Sequence, residues 1–285
     1  MLHVPVMLND VLDALGDISG ARVLDATFGA GGYTRAFLSR GAFVTAFDRD
    51  PTVEKIAADV RAEYGDRFRF VPAPFAQMAN LGETFDAIVF DLGISSMQID
   101  VAARGFSFRA DAPLDMRMSG AGKSAADLIA DFGARGDAAG LGRILRDYGD
   151  IKNAGGLARK IIDAAPTTTF ALRDVISNPR DIAPVFQALR IAVNDEMGEI
   201  TRALAAVPDM LNVGGKCVCV TFHSIEDRIV KSTFRDLTAP VGDPRLPTVV
   251  TPQFVAMRPR TPDAAEISAN PRARSAHMRG IIKSY

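Results

Sequence analysis

The segment Val23-Leu24-Asp25-Ala26-Thr27-Phe28-Gly29-Ala30-Gly31-Gly32-Tyr33 constrains the fold more than any other part of this chain, because an apolar run ends in a carboxylate and breaks into a loop with three glycines. A second apolar run, Ala42-Phe43-Val44-Thr45-Ala46-Phe47, follows closely and ends in Asp48. Glycines without Cβ atoms let backbone approach a ligand, and an acid at a strand end accepts from ribose hydroxyls. The pattern predicts two neighbouring strands of a parallel sheet, with an adenosine-like ligand at their carboxyl ends.

A dinucleotide fingerprint would require a third glycine where Gly29-Ala30-Gly31-Gly32-Tyr33-Thr34 has threonine. An acid four residues before the first glycine also suits pyrophosphate poorly, whereas a ligand carrying an ammonium, a sulfonium and a ribose welcomes negative charge. S-adenosylmethionine therefore leads on spacing, ahead of another nucleotide ligand or a glycine turn without one.

Further strand-like runs at residues 67–71 and 85–90, with helix-compatible segments such as 52–63 between runs, predict a doubly wound parallel α/β sheet. The run Phe85-Asp86-Ala87-Ile88-Val89-Phe90 again ends in an acid, Asp91. The next convincing strand, residues 216–222, lies more than a hundred residues later, while one helical crossover takes roughly thirty. An inserted all-helical second domain is expected over residues 104–193, from spacings such as Leu141, Ile144, Leu145 and Tyr148, or Leu157, Ile161 and Ile162. Residues 194–211 read as the helix leading back, so that 1–103 and 194–285 form the sheet domain. The four prolines of residues 238–252 mark the closest approach to a linker.

The chain has 285 residues, 48% hydrophobic and 24% charged, ordinary for a globular protein. Its apolar runs are too short to span a bilayer and its start lacks a basic segment leading into an apolar one, so no membrane partner and a cytoplasmic location are expected. The two cysteines, Cys217 and Cys219, share one face of a strand-like run and read as buried thiols. Three scattered histidines offer no metal-ligand spacing, so no metal is expected. Net charge is −1, with eight basic against fourteen acidic residues in 1–103 and six against two in 258–285. A basic tail of this kind either contacts phosphate locally or is simply solvated.

Polar and aromatic residues crowd the predicted strand ends: Asp91-Leu92-Gly93-Ile94-Ser95-Ser96-Met97-Gln98, Arg104-Gly105-Phe106-Ser107-Phe108, Pro113-Leu114-Asp115-Met116-Arg117-Met118, Phe186-Gln187-Ala188-Leu189-Arg190, Asn194-Asp195-Glu196 and Phe222-His223-Ser224-Ile225-Glu226-Asp227-Arg228. In these motifs, and from His3-Val4-Pro5-Val6 to Asn270-Pro271-Arg272-Ala273-Arg274-Ser275, the sequence resembles the rRNA small subunit methyltransferase H family, also called MraW. The resemblance implies a Rossmann-like class I methyltransferase sheet with the helical insertion recognising RNA. It also implies S-adenosylmethionine as cofactor, 16S rRNA or the small ribosomal subunit as partner, and N4-methylation of a cytidine in the decoding region. Oligomeric state stays open, a homodimer included.

The same resemblance implies cofactor residues. Gly31 and Gly32 would lie under the methionine and ribose part, Tyr33 would make a backbone contact, Asp48 would hold the ribose hydroxyls, Phe75 would sit near the adenine, and Asp91 and Gln98 would complete the pocket. Read alone, Asp48 competes as a cap for the segment from Pro51, and Phe75 as core. Three departures stand out: Tyr33 where the family has histidine, Met97 where it has proline before Gln98, and Ile182-Ala183-Pro184-Val185 where it has a Thr-Arg-Thr-like run. For the chemistry, a carboxylate accepting from the cytosine amine points to Asp91, with Ser95, Ser96 and His223 as further candidates. Methylation of another substrate, or cofactor binding and ribosome docking without turnover, are the competing readings.

Overall fold

The computed structural model describes residues 5–240 and 251–285, in two compact units. The first combines the chain up to Gly93 with Met197–Tyr285, and the second is Ile94–Glu196.

The first unit is built on seven strands: β1 (Arg22–Asp25), β2 (Phe43–Phe47), β3 (Phe68–Val71), β4 (Phe85–Asp91), β5 (Leu211–Thr221), β6 (Phe254–Ala256) and β7 (His277–Lys283), in the order β3-β2-β1-β4-β5-β7-β6. The pairs β3·β2, β2·β1, β1·β4 and β4·β5 are parallel, while β7 runs antiparallel to β5 and to β6. Strand order reverses at the β1/β4 boundary, so the loops leaving these two strands diverge and open a crevice at their carboxyl ends. This topology is a Rossmann-like, doubly wound sheet with β7 inserted antiparallel between β5 and β6. The central strands read as near-continuous apolar runs because both faces are covered: Val23, Leu24, Ile88, Val89, Val218 and Val220 are all solvent-inaccessible. The unit's helices are α1 (Leu8–Leu15), α2 (Gly32–Ser39), α3 (Glu54–Tyr64), and, after the second unit, α10 (Glu196–Met210), which belongs to this unit from Met197 on, α11 (Ser224–Thr238) and α12 (Ala264–Ala269).

β5 starts five residues before the expected Lys216. Its first residue, Leu211, pairs with Phe85, the register shifts before Ala87↔Lys216, and the Asn212–Gly215 stretch is accommodated as an irregularity of the strand. Cys217 and Cys219 are buried free thiols, and burial pushes the Cys219 thiol well up. The C-terminal segment is not a solvated tail. It supplies β6, α12 and β7, and three of its cations are used within the fold: Arg279 grips Asp227 through two hydrogen bonds of 2.7 and 2.8 Å, Arg260 donates to Asp10, and Lys283 donates to the carbonyls of Pro208 and Leu211. Most of the proline-rich stretch 238–252 lies outside the described residues, as do His3 and Val4.

The second unit holds α4 (Ser96–Asp100), α5 (Ala125–Ala134), α6 (Ala138–Gly149), α7 (Ala154–Ala164), α8 (Thr169–Val175) and α9 (Ile182–Asn194). Its core includes the expected Leu141, Leu145 and Ile161, together with Leu172, Val185 and Leu189. The boundary falls at residue 94 where the sequence reading placed it at 104. Residues 94–124 carry no helical periodicity, but Leu114, Met116 and Met118 are buried in the helical unit's core, and Asn194 ties them down by accepting from the Met118 N–H and donating to the Met116 carbonyl. At the other end Glu196 belongs to the same unit through a bidentate pair with Arg190 at 2.8 and 2.9 Å, so the expected boundary at 193 moves out by three residues. The helix leading back to the sheet is α10 (Glu196–Met210). Among the described residues no helix is long and apolar enough to cross a membrane.

Candidate functional site

The crevice at the ends of β1, β2 and β4 gathers acids. Asp25 closes β1 and is completely buried. Its Oδ1 accepts from the Thr27 N–H at 3.1 Å and its Oδ2 from the Thr34 hydroxyl at 2.6 Å. Burial, reinforced by the Asp48 charge, outweighs these two bonds and raises its pKa to about 6. The loop beyond is anchored by Phe28, whose N–H donates to the Phe47 carbonyl and whose ring packs on Phe68 and Phe70. Gly31 then caps α2 at a φ of 75°. A Cβ there would sit 3.2 Å from the Phe28 ring and would strain the left-handed backbone as well.

Asp48, following β2, spends one lone pair of each carboxylate oxygen on backbone. Oδ2 accepts from Gly29 at 2.8 Å and Oδ1 from Asp50 at 2.9 Å, while burial raises its pKa. It thereby fixes the glycine loop and retains lone pairs for a hydroxyl-bearing ligand. The cap of the turn beginning at Pro51 is Asp50, which accepts from the Thr52 N–H and hydroxyl. Phe75 opens a 3-10 turn, half-buried, with its ring edge-on to Phe90 at 5.8 Å. Tyr33 is buried in α2 and donates its hydroxyl to the Val6 carbonyl, bracing the N-terminal segment. Burial, with the Asp91 charge beside it, pushes the phenol well above its ordinary range.

Asp91 ends β4. Its N–H donates to the Thr27 hydroxyl at 2.7 Å, and the next N–H, of Leu92, donates to the Val220 carbonyl of β5. Its carboxylate Oδ1 is shielded from solvent and has no hydrogen-bond partner among the described residues. Burial first, then the charges of Asp25 and Glu226, hold this carboxyl well above the usual range. Neither Asp25, Asp48 nor Asp91 has an ion-pair partner among the described residues. Buried acids on one side of a cleft, one of them with an orphan oxygen, call for a cationic ligand.

His223 sits at the end of β5 as the N-cap of α11. Its Nδ1 accepts from the Glu226 N–H at 3.4 Å, and its Nε2 lies 2.9 Å from Glu226 Oε1 without hydrogen-bonding alignment. Ser95 and Gln98 lie in the helical unit, where they form a capping box: Ser95 Oγ accepts from the Met97 N–H at 3.2 Å and Gln98 Oε1 accepts from the Ser95 N–H at 3.1 Å. Met97 supplies an N–H that the family's proline lacks, so this departure adds a bond to the turn presenting Gln98. Thr27, Thr34 and Glu226 belong to this network, yet sequence reasoning assigned them no role. Glu226 carried a legible signal, an acid three residues after a capping residue at a helix start. The threonines carried none, since a hydroxyl gains its meaning from the carboxylate it meets.

Residues 1–284 match the model of the MraW methylase family. The chain is 45% identical to the ribosomal RNA small subunit methyltransferase H of Mesorhizobium japonicum, covering 99% of this chain and 87% of that one. It is 44% identical to the protein of the same name from Caulobacter vibrioides, covering 99% and 96%. Among solved structures, a rRNA methylase from Streptococcus thermophilus aligns at a TM-score of 0.44 and 15% identity over 100% of this chain and 99% of that one.

Proposed function

We propose that this chain, which belongs to the MraW methylase family and is an S-adenosylmethionine-dependent methyltransferase, methylates N4 of a cytidine in the decoding region of 16S rRNA, in the cytoplasm. The observation that carries the reading is Asp91: a strand-end carboxylate at the topological switch point, partly buried, whose Oδ1 is shielded from solvent and has no hydrogen-bond partner among the described residues. The relatives named for small-subunit rRNA methylation support the choice of substrate.

S-adenosylmethionine supplies a sulfonium-activated methyl group and, through its ammonium, a second positive charge. Asp25, Asp48 and Asp91 suit it because desolvation raises the pKa of each and so disfavours its charged form, a cost that a bound cation relieves. In this reading the Gly31–Gly32 turn cradles the donor by backbone, Asp48 accepts from the ribose hydroxyls and Phe75 lies against the adenine, with Gln98 assigned to the cofactor on the family resemblance. Tyr33 acts through its backbone and as a brace, its hydroxyl being committed to Val6.

The cytosine amine is a poor nucleophile because its lone pair is delocalised into the ring, so the protein's task is alignment and withdrawal of developing positive charge. In its ionised form Asp91 would accept from the amine and take its proton, while the methyl group would pass to nitrogen from the sulfonium of the donor, which would leave as a neutral thioether. Ser95 is a further candidate acceptor for the amine on the strength of the family resemblance. His223 holds the β5 end in place, since its ring nitrogens are directed at Glu226. The helical unit is assigned RNA recognition. Nucleoside mass analysis of rRNA from cells with and without this protein tests the proposal. Loss of N4-methylated cytidine is expected, and an unchanged nucleoside profile refutes it.

A further inference from the structure

Glu226 is the one fully buried acid near the site that the mechanism above leaves without a task. It lies at the third position of α11 and is 0% exposed. Its Oε2 accepts from the Phe222 N–H at 2.9 Å and the His223 N–H at 3.2 Å, clamping the turn that leaves β5. Its Oε1 lies next to His223 Nε2 on one side and to Gly93 on the other: a Cβ built on Gly93 would come within 3.8 Å of that oxygen and 3.2 Å of the Phe222 ring. Gly93 holds a φ of 96° and is two residues beyond Asp91, so the β4 and β5 exits are packed against each other at this carboxylate with no room for a side chain.

We propose that Glu226 is a positioning residue for methyl transfer: buried behind Gly93, it locks the Asp91 and Phe222 strand exits together and supplies a negative charge that Asp91 faces. The proposal rests on the donor-binding reading above and extends it to a residue outside the cofactor set. A capping acid for an ordinary helix sits at the surface, whereas this one is sunk beneath the turn that carries Asp91. The groups facing Asp91 are Asp25 from β1, Tyr33 from α2, and Glu226 from α11. Of these Asp25 is hydrogen-bonded to the β1 exit and Glu226 to the β5 exit, so the two flank β4 from opposite sides. The charge of Glu226 adds to the burial that raises the Asp91 pKa in the free protein, so binding of a cationic donor, which favours the ionised form, is coupled to proton release at Asp91.

The test uses the full-length chain with Glu226→Gln and Glu226→Ala, binding S-adenosylmethionine and its product S-adenosylhomocysteine, whose thioether is neutral. The amide oxygen of glutamine can still accept from both backbone N–H groups, so E226Q should keep the fold and hold S-adenosylhomocysteine within about twofold of wild type. Well above the midpoint, where Asp91 is ionised in both proteins, the ratio of donor to product affinity should fall at least about threefold because one buried negative charge is gone, while the pH at which donor binding weakens should move down by roughly half a unit or more because Asp91 loses its proton more readily. E226A loses the clamp as well, so product affinity and single-turnover methyl transfer should each fall about tenfold or more, with E226Q recovering most of the loss. An unchanged affinity ratio and pH midpoint in E226Q overturns the charge role, and E226A matching E226Q overturns the clamp. Should E226A fail to fold, the E226Q measurements decide alone. Wild-type protein that binds the donor but methylates no cytidine on the small subunit refutes the proposed substrate and leaves the binding comparison standing as the test of Glu226.

Discussion

Thr34 donates its hydroxyl to the buried carboxylate of Asp25 at 2.6 Å, at the position where a dinucleotide-binding turn would require glycine. The residue that breaks the fingerprint is therefore the one that satisfies the strand-end acid. With the Thr27 N–H on its other oxygen, and the Thr27 hydroxyl accepting from the Asp91 N–H, the ends of β1 and β4 form one hydrogen-bonded unit.

Replacing Thr34 by valine keeps the shape and removes the donor. Leaving a buried carboxylate oxygen unsatisfied costs roughly 1 to 3 kcal/mol, and urea unfolding at pH 7 should register a loss of that size. Because the Thr34 bond lowers the Asp25 pKa, the variant should also hold its Asp25 proton to higher pH. Unfolding curves identical to wild type at pH 7 would rule out this network as a stabilising element.

The pH dependence follows from the same acid. Burial raises the Asp25 pKa to about 6 in the folded protein from its ordinary value of 3.8, so the folded state binds the extra proton between these values. Stability of the ligand-free protein should therefore decline through this group as pH rises from about 4 to about 6. Asp48 and Asp91 act in the same direction. A cationic donor favours the ionised forms, so its binding near pH 6 should release protons and tighten as pH rises. Calorimetry in two buffers of different ionisation enthalpy measures this directly. No proton release at pH 6 would contradict the cation-acid pairing, and Asp25→Asn should reduce it.

Asp48→Ala should weaken S-adenosylmethionine binding by about 1.5 to 3 kcal/mol. It removes an acceptor for the ribose and also frees the Gly29 and Asp50 N–H groups that hold the glycine loop. Asp91→Asn should instead lower single-turnover methyl transfer by at least about tenfold, roughly 1.4 kcal/mol. That fall should persist at saturating donor if Asp91 meets the acceptor. Full recovery under saturation would confine Asp91 to cofactor binding, and formation of a C5-methyl or ribose-methyl product would refute the N4 chemistry.

Basic residues of the C-terminal segment divide into two groups. Arg279→Met breaks the pair with Asp227 and should destabilise the fold by about 1 to 3 kcal/mol. Arg279 depresses the Asp227 pKa, so this contribution is present above pH 4 and fades as acid protonates Asp227, and the variant's deficit should shrink at low pH. Arg272 and Arg274 are exposed, and replacing both with alanine should leave thermal stability unchanged while flattening the salt dependence of rRNA binding, since fewer counterions are released. An identical salt slope would assign them no part in RNA contact.

Sequence alone determined the nucleus of this protein. Apolar runs ending in Asp25, Asp48 and Asp91 are local signals, because a buried parallel strand must be apolar along its length and a strand-end acid next to glycines has few other uses. The helical insertion was legible from the length between strands four and five together with 3.6-residue periodicity. Tertiary structure decided the rest. Leu114, Met116 and Met118 join the helical unit through an irregular segment, and their alternation names no partner until Asn194 is seen to hold them. Arg279 reads as a tail cation until β7 pairs with β5 and brings it to Asp227 across fifty-two residues. The charge state of the site is likewise invisible in one dimension: burial and the mutual repulsion of Asp25, Asp91 and Glu226 raise the Asp91 pKa, and these acids meet only because the sheet brings the exits of β1, β4 and β5 to one edge.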